Sequence, residues 1–505
     1  MEVNTLEIYR RYTGEETFKR IKHYDTLSQM WEERSKEYAE LTAVMDNGSS
    51  YTYAQLADDV AKFRTVLKNS GARKGDTVAL YIPNSYDFVK AFLAVVTSGC
   101  TAAVLPAQID EKAVCGCCMM FRASALVAAE SLSANTAVAK QAIASLSVVS
   151  AEETAEEASS AVDCEGKDGC AIVMTGGTTG RPKGALLSNT AVMHGVINSC
   201  YGVPESFEQR YMLVLPLSHV FGLIRNMLAS LFTGSTLFIC RNNKDMFRDA
   251  AMFRPTIMVL VPALAEMALT LSKKFGKNMF GDSLKTIICG AANVPPYLIT
   301  EYDKMGVSLL PGYGLTESAN LVSGNPENLK KPDSVGIMFP EQEYKIVDGE
   351  LWLKGKNMMD GYVAVDNSEV YEDGWFKTGD LVRIDDEGFL YITGRIKEVI
   401  VLANGENISP AEVEAKFNTL DYIQDSQVFE DADESGKHFL ALEVVPRATE
   451  IAKLGDIDIN AFLKSELEKI NSKLPAFQRV NKITVRTSDF ERTPSMKIVR
   501  YKKWQ

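Results

Sequence analysis

The chain has 505 residues, with 54 Lys+Arg against 66 Asp+Glu and a formal net charge of −12. A composition that is 46% hydrophobic and 24% charged excludes the fibrous and disordered classes. The acidic balance excludes nucleic acid or an anionic membrane as the main partner, while leaving room for a local basic pocket that holds a phosphate ligand.

At roughly 150 residues per domain, the length suggests about three folding units, with a core large enough to need no disulfide or metal. The N-terminus, MEVNTLEIYRRYTGEETFKRIKHYD, is charged, lacks an apolar core and does not read as a secretory signal. From Tyr51, apolar residues recur at helical spacing through Leu67. Gly71 and an apolar strand from Thr77 follow. SYDFVKAFLAVVTSG from Ser85 predicts a helix, and TAAVLP a strand. The apolar stretch Phe88–Pro106 is broken by Lys90, Thr97, Ser98, Gly99 and Thr101, so it reads as a buried helix and strand rather than a membrane span. Cys115, Cys117 and Cys118 cluster without paired CxxC units or a nearby His. They read as small buried or free thiols of a reducing compartment. Ser131–Asp163 is rich in Ala, Ser and Glu and predicts surface helix and loop.

Further strands are expected at Met212–Leu215, Ser235–Cys240, Thr256–Val261 and Lys285–Cys289, each beside a helical pattern. Strands alternating with helices imply parallel βα units and an α/β fold. Between about Glu343 and Tyr391 the pattern changes to short strands (YKIVD, ELWLKG, DLVRID, FLYITG) with Gly and Asp turns, which is antiparallel patterning. After Gly394 comes a helix start with Ser409 as N-cap, Pro410 at N1 and Glu412 placed for a capping box. Two strands and the helix INAFLKSELEKINSKL follow. The fold class read here is α/β: a large N-terminal body of two α/β lobes plus a β-rich section over 1–395, and a small, mobile α+β C-terminal domain over 396–505.

Chemistry concentrates first in Ile172–Ser188, IVMTGGTTGRPKGALLS. An apolar strand runs into Thr175, Gly176, Gly177, Thr178, Thr179 and Gly180, and Lys183 follows. Glycines let backbone N–H groups turn toward an anion, the hydroxyls add donors, and the lysine adds a positive charge. The segment suits a triphosphate, yet it is not the Walker loop, because Lys183 lies three residues after Gly180 and is followed by Gly184. Alone, such a loop is as readily a surface turn. It is followed in order by GYGLTES (Gly312–Ser318), WFKTGD (Trp375–Asp380), GRIKEVIVLANGENISPAEVE (Gly394–Glu414) and TPSMK (Thr493–Lys497).

This ordered set resembles the acyl-adenylate-forming superfamily, which contains acyl-CoA synthetases, peptide-synthetase adenylation domains and luciferases. The resemblance runs from about Tyr51 to the end. It implies that Gly176–Gly180 and Lys183 hold the phosphates of ATP and that Tyr313, with Gly314, stacks on adenine. Thr316 would contact the α-phosphate and Glu317 would hold Mg²⁺. Asp380 would accept from the ribose hydroxyls with Arg395 assisting. Gly290, Ala291 and Ala292 are small enough for adenine or an acyl chain to approach. His219, in LPLSHVFGL, matches a position at the mouth of the acyl site. Where amino-acid-activating relatives place an Asp, this chain has Val220, Phe221 and Gly222, which favours an acid without an α-amino group. Lys497 would bridge the carboxylate and the α-phosphate, although Met496 stands where the family usually has Gly. Lys397 falls at the family's hinge, and Gly405 in a loop that would help form the pantetheine channel.

The activity implied is an AMP-forming acid–thiol ligase using ATP, Mg²⁺ and coenzyme A, with a fatty acid suggested by the likeness of the C-terminal segment to long-chain ligases. A ligase loading a separate carrier protein and an inactive nucleotide-binding regulator are the alternatives. The C-terminus carries no peroxisomal or retention tripeptide, and the protein reads as soluble and cytoplasmic.

Overall fold

Two sheets of mainly parallel strands organise the first part of the chain. In this computed structural model, residues 4–175, 183–401, 407–432, 438–455, 457–492 and 498–500 are described. The chain divides into two compact units. The first is Met1–Tyr344, Leu353–Phe376 and Asp385–Leu390, and the second is Lys345–Trp352, Lys377–Ile384 and Tyr391–Gln505.

The seven-stranded sheet of the first unit has the order Gly361–Tyr362, Lys183–Ser188, Gly169–Thr175, Thr101–Val104, Thr77–Tyr81, Ala123–Ala128, Ser147–Ser150. Its last five strands run parallel, whereas Gly169–Thr175 and Lys183–Ser188 are antiparallel. The nine-stranded sheet is parallel through its middle, where Ser308–Leu315, Thr286–Cys289, Ile257–Leu260, Arg210–Leu213, Thr236–Ile239 and Thr42–Asp46 lie side by side. Antiparallel strands close both its edges. Each strand expected from the alternation is found, shifted by at most two residues.

Local signals account for the helices. Thr52 and Gln55 form a capping box that starts Tyr53–Asn69, a device worth about 1 kcal/mol. Ser85 caps Tyr86–Thr97, whose residues other than Asp87 are all buried, as expected of a helix that is apolar on every side. Lys90 is tolerated there because Asp87 pairs with it at 3.0 Å and its ammonium lies over the Phe63 ring. Cys115, Cys117 and Cys118 belong to the apolar core of the seven-stranded sheet. The expectation of surface helix and loop over Ser131–Asp163 needs correction, because Ser147–Ser150 adds an edge strand to that sheet.

Strands also occur at Glu343–Val347, Glu350–Lys354, Trp375–Ile384 and Leu390–Arg395, matching the β-rich section. In the second unit, Ile423–Ala432 pairs antiparallel with His438–Pro446, which pairs parallel with Lys482–Val485. Helices Pro410–Phe417 and Ile459–Asn471 bury Val413, Phe417, Leu463 and Leu467 in the same core as these strands. The capping expected of Ser409 is not made. Its hydroxyl donates to Thr393 O at 2.6 Å, and it lies so close over Gly394 that a Cβ there would meet Ser409 Oγ at 2.1 Å.

Candidate active site

Thr175 and Lys183 end two paired antiparallel strands and face each other in register. Gly176, Gly177, Thr178, Thr179 and Gly180 lie outside the described residues, as do Gly405, Met496 and Lys497. Gly184 must be small, because a Cβ there would meet the Phe121 ring at 2.4 Å.

Glu317 comes from a different sheet, in the single turn Thr316–Ser318 that follows strand Ser308–Leu315. The turn is tied from within. Ser318 Oγ accepts from Leu315 N–H at 2.9 Å and donates to Asn320 O at 2.8 Å. From outside, Asn357 Nδ2 donates to Ser318 O at 3.2 Å and Met359 N–H to Glu317 O at 2.8 Å. Tyr362 joins the two sheets' contributions. Its hydroxyl donates to Glu317 Oε1 at 2.5 Å, and the Lys183 ammonium lies 4.9 Å from its ring centroid. Pairing of Gly361–Tyr362 with Leu186 and Ala185 brings it there, and Asn367 clips its backbone from both sides. The sequence reading named Lys183 and Glu317 and missed Tyr362, which no motif marks.

The other predicted residues of this unit line up along the ends of neighbouring strands. Gly290 follows Thr286–Cys289, and a Cβ on it would lie 3.0 Å from Gly312 O and 3.4 Å from Phe221 Cζ. Ala291 takes φ +65°, unusual for a residue with a side chain, and Ala291 and Ala292 are both exposed. Tyr313 is half-buried at a bulge opposite Ser323, and Gly314 admits no side chain. His219 is half-buried at the start of the short helix Val220–Gly222. Asn84 holds the segment leading to it, donating to Leu215 O at 2.8 Å and accepting from Leu217 N–H at 2.9 Å. Asn84 is a second residue that the sequence reading did not single out.

In the second unit the structure joins Asp380 and Arg395, with Nε to Oδ1 at 2.5 Å. Asp380 is buried, and Gly379 before it takes φ +72° while its N–H donates to Glu350 Oε1 at 2.8 Å. Lys397 is exposed in the turn Ile396–Glu398. Its neighbour Glu398 pairs with Arg500 at 3.0 Å, and Arg500 also grips Glu414 at 2.7 and 2.8 Å.

The first unit therefore brings a lysine cation and a carboxylate onto one side chain, Tyr362. A lone carboxylate fits magnesium, which takes one or two protein oxygens and draws the rest from phosphates and water. A comparison with known families decides the wider context. The description "AMP-binding enzyme" matches residues 31–363, and "AMP-binding enzyme C-terminal domain" matches residues 397–505. The chain belongs to the AMP-binding enzyme family.

Relatives of this AMP-binding enzyme include the oxalate–CoA ligase of Arabidopsis thaliana, 30% identical over 94% of this chain and 97% of that one. The indoleacetate–CoA ligase of Aromatoleum aromaticum is 31% identical over 80% of this chain and 85% of that one. Among solved structures, the o-succinylbenzoate CoA synthetase of Bacillus subtilis with ATP and magnesium has a TM-score of 0.77 at 23% identity, covering 93% of this chain and 98% of that one. The AMP-binding enzyme is thus an acid–thiol ligase by family, as the resemblance implied. No helix among the described residues is long and apolar enough to cross a membrane.

If Tyr362 positions Glu317, Tyr362→Phe keeps the ring beneath Lys183 and removes one hydrogen bond to a charged group. Acid-dependent pyrophosphate exchange should then need about tenfold more Mg·ATP, with the melting temperature nearly unchanged. Unchanged Mg·ATP dependence would leave Tyr362 without that role.

Proposed function

We propose that this enzyme activates a carboxylic acid with ATP, releasing pyrophosphate, and then transfers the acyl group to the thiol of coenzyme A, releasing AMP. The observation that carries the reading is the meeting of Lys183, Tyr362 and Glu317, with Lys183 following the glycine-rich stretch in sequence. In the first step a carboxylate oxygen attacks the α-phosphorus, and the bond to pyrophosphate breaks. Two anions must approach, so the barrier falls when fixed positive charge sits between them. Lys183 and residues Gly176–Gly180 hold the departing phosphates, Thr316 the α-phosphate, and Lys497 the attacking carboxylate. Glu317 would hold a magnesium ion, which would add neutralisation of the phosphate oxygens. Tyr313 and Gly314 border the adenine. Asp380 receives the ribose hydroxyls, held in place by the Arg395 guanidinium.

In the second step the thiol sulfur attacks the acyl carbonyl and the bond to AMP breaks. His219 borders the acyl group, Lys397 is the pivot that withdraws Lys497, and the Gly405 loop guides the pantetheine. The names of the relatives favour CoA over a carrier protein as acceptor. Those relatives act on oxalate and indoleacetate, so the fatty acid suggested by the C-terminal segment is one option among several acid classes.

The test is a panel of fatty, aryl and dicarboxylic acids with ATP, magnesium and CoA, reading AMP release and thioester. At least one acid should yield both products. ATP binding without turnover of any acid would sink the proposal.

A further inference from the structure

In the helical segment that follows His219 lies a guanidinium with no ion pair among the described residues. Arg225 sits in the wide helical turn Leu223–Leu228, which continues the segment carrying His219 and Phe221, and it is 2% exposed. Its Nη1 is buried and has no hydrogen-bond partner among the described residues. The groups that act on its charge are the Tyr211 hydroxyl and the Cys200 thiol. Burial pushes these up to about 12 and about 11, so both are neutral near pH 7; Tyr211 shares a hydrogen bond with the arginine, and among the described residues no carboxylate balances its charge. An arginine stays protonated, and arginines are almost never fully buried unless paired.

Arg225 also lines a cavity of about 20 Å³ with Asn198, Tyr201, Pro311 and Leu321. The far wall is fixed by the rings of Tyr9, Tyr201 and Phe339, whose centroids lie 5.0 to 5.9 Å apart. Tyr9 is held through its hydroxyl, which lies within hydrogen-bond distance of Gly324 O at 2.7 Å and Ile337 O at 2.5 Å. The near wall is Leu321. A Cβ on Gly312 would meet its Cδ1 at 2.7 Å, and one on Gly290 its Cδ2 at 3.7 Å. Leu321 thus stands between the cavity and the two glycines that border the site. The space takes one water-sized group, so it suits the polar tip of a ligand and not an alkyl chain.

We propose that Arg225 is a specificity-determining residue and that the acid is a short dicarboxylic acid, whose distal carboxylate passes Leu321 and meets this guanidinium while the other carboxylate is activated. The inference rests on the acid–CoA ligase reading above. A monocarboxylic chain of the same length would place methylenes against an uncompensated charge, and the enzyme would reject it as sites with buried polar groups reject analogues that leave those groups unpaired.

The test compares each diacid with the monoacid of equal chain length and with the diacid's monomethyl ester, reading AMP release with CoA. The parent enzyme should prefer the diacid in kcat/KM by about a hundredfold or more over both. Arg225→Met should shrink that preference to within a few-fold, leave the KM for ATP unchanged, and melt no lower than the parent, because it removes an unpaired buried charge. Equal use of monoacid and diacid by the parent enzyme overturns the proposal whether or not the variant folds. So does a folded Arg225→Met enzyme that keeps the preference, which would mean that a lone water satisfies the arginine. Turnover of monoacids with none of diacids removes this inference and leaves the ligase reading standing. Turnover of no acid removes both.

Discussion

Lys497→Ala should lower acid-dependent pyrophosphate exchange by about a hundred- to a thousandfold and leave thioester formation from supplied acyl-AMP within a few-fold of the parent. The asymmetry follows from the charges. Adenylation brings a carboxylate against a phosphate, and one well-placed donor at developing negative charge is worth that factor. Thioester formation brings a thiol to an already activated carbonyl, where this lysine has no anion pair to bridge. The described residues on either side of 493–497 are held in place. Arg492 and Ile498 form an antiparallel bridge, and Val499 N–H donates to Glu491 O at 2.8 Å. Arg492 pairs with Asp425, and Arg500 with Glu414 and Glu398. Separate assays of the two half-reactions check the prediction. Equal loss in both, or full survival of both, would refute the division of labour.

Gly314→Ala should be nearly as damaging by a different route. The added Cβ would sit 2.2 Å from Asn320 O and 2.5 Å from Leu321 Cα, both backbone atoms. They cannot step aside cheaply, because the Asn320 side chain donates to Gly195 O at 3.0 Å and Ser199 Oγ at 2.8 Å. The strand must shift, and it carries the turn with Thr316 and Glu317. Overpacking of this kind costs about 1–3 kcal/mol of stability, and a displacement of the reacting groups by about 1 Å costs about a hundredfold in rate. A lower melting temperature together with weak exchange is the expected result. Gly116→Ala is the control: the position lies in helix Glu111–Met120 with nothing within 4 Å of its Cβ, and the substitution should be neutral or slightly stabilising. Wild-type exchange in the Gly314→Ala enzyme would show that the turn adapts.

The parts of the site that the sequence discloses are those whose chemistry needs special backbone. Glycines and hydroxyls crowd between Thr175 and Lys183 in the sequence, a composition that offers backbone and side-chain donors to an anion. GYGLTES announces itself by its glycines: Gly312 and Gly314 both lie where a Cβ would collide. Tyr362 and Asn84 gave no such sign. One arrives through a two-residue strand pairing and the other through a side-chain clip on a distant loop, and neither leaves a local pattern. Ser147–Ser150 escaped notice because two valines in an Ala/Ser-rich tract are too short an apolar run to separate a strand from a loop. Arg225 did leave a signal, a lone charge within the apolar run from Val220 to Phe232. That its Nη1 has no hydrogen-bond partner among the described residues appears only when the surrounding strands are assembled.

An acyl-adenylate is an acylating agent toward any thiolate within reach, so an enzyme that makes one risks modifying itself. This chain carries nine free cysteines, and eight of them are buried. Cys289 lies immediately before Gly290 at the edge of the site, yet it is fully enclosed and burial pushes its thiol up. Cys117 and Cys118 are pushed up to about 11 and about 12 for the same reason, and the partly exposed Cys164 is also raised. A thiol held protonated is a poor nucleophile. Burying these side chains therefore does more than fill a core: it leaves the incoming thiol without competition, so the activated acyl group leaves on its acceptor and not on the protein.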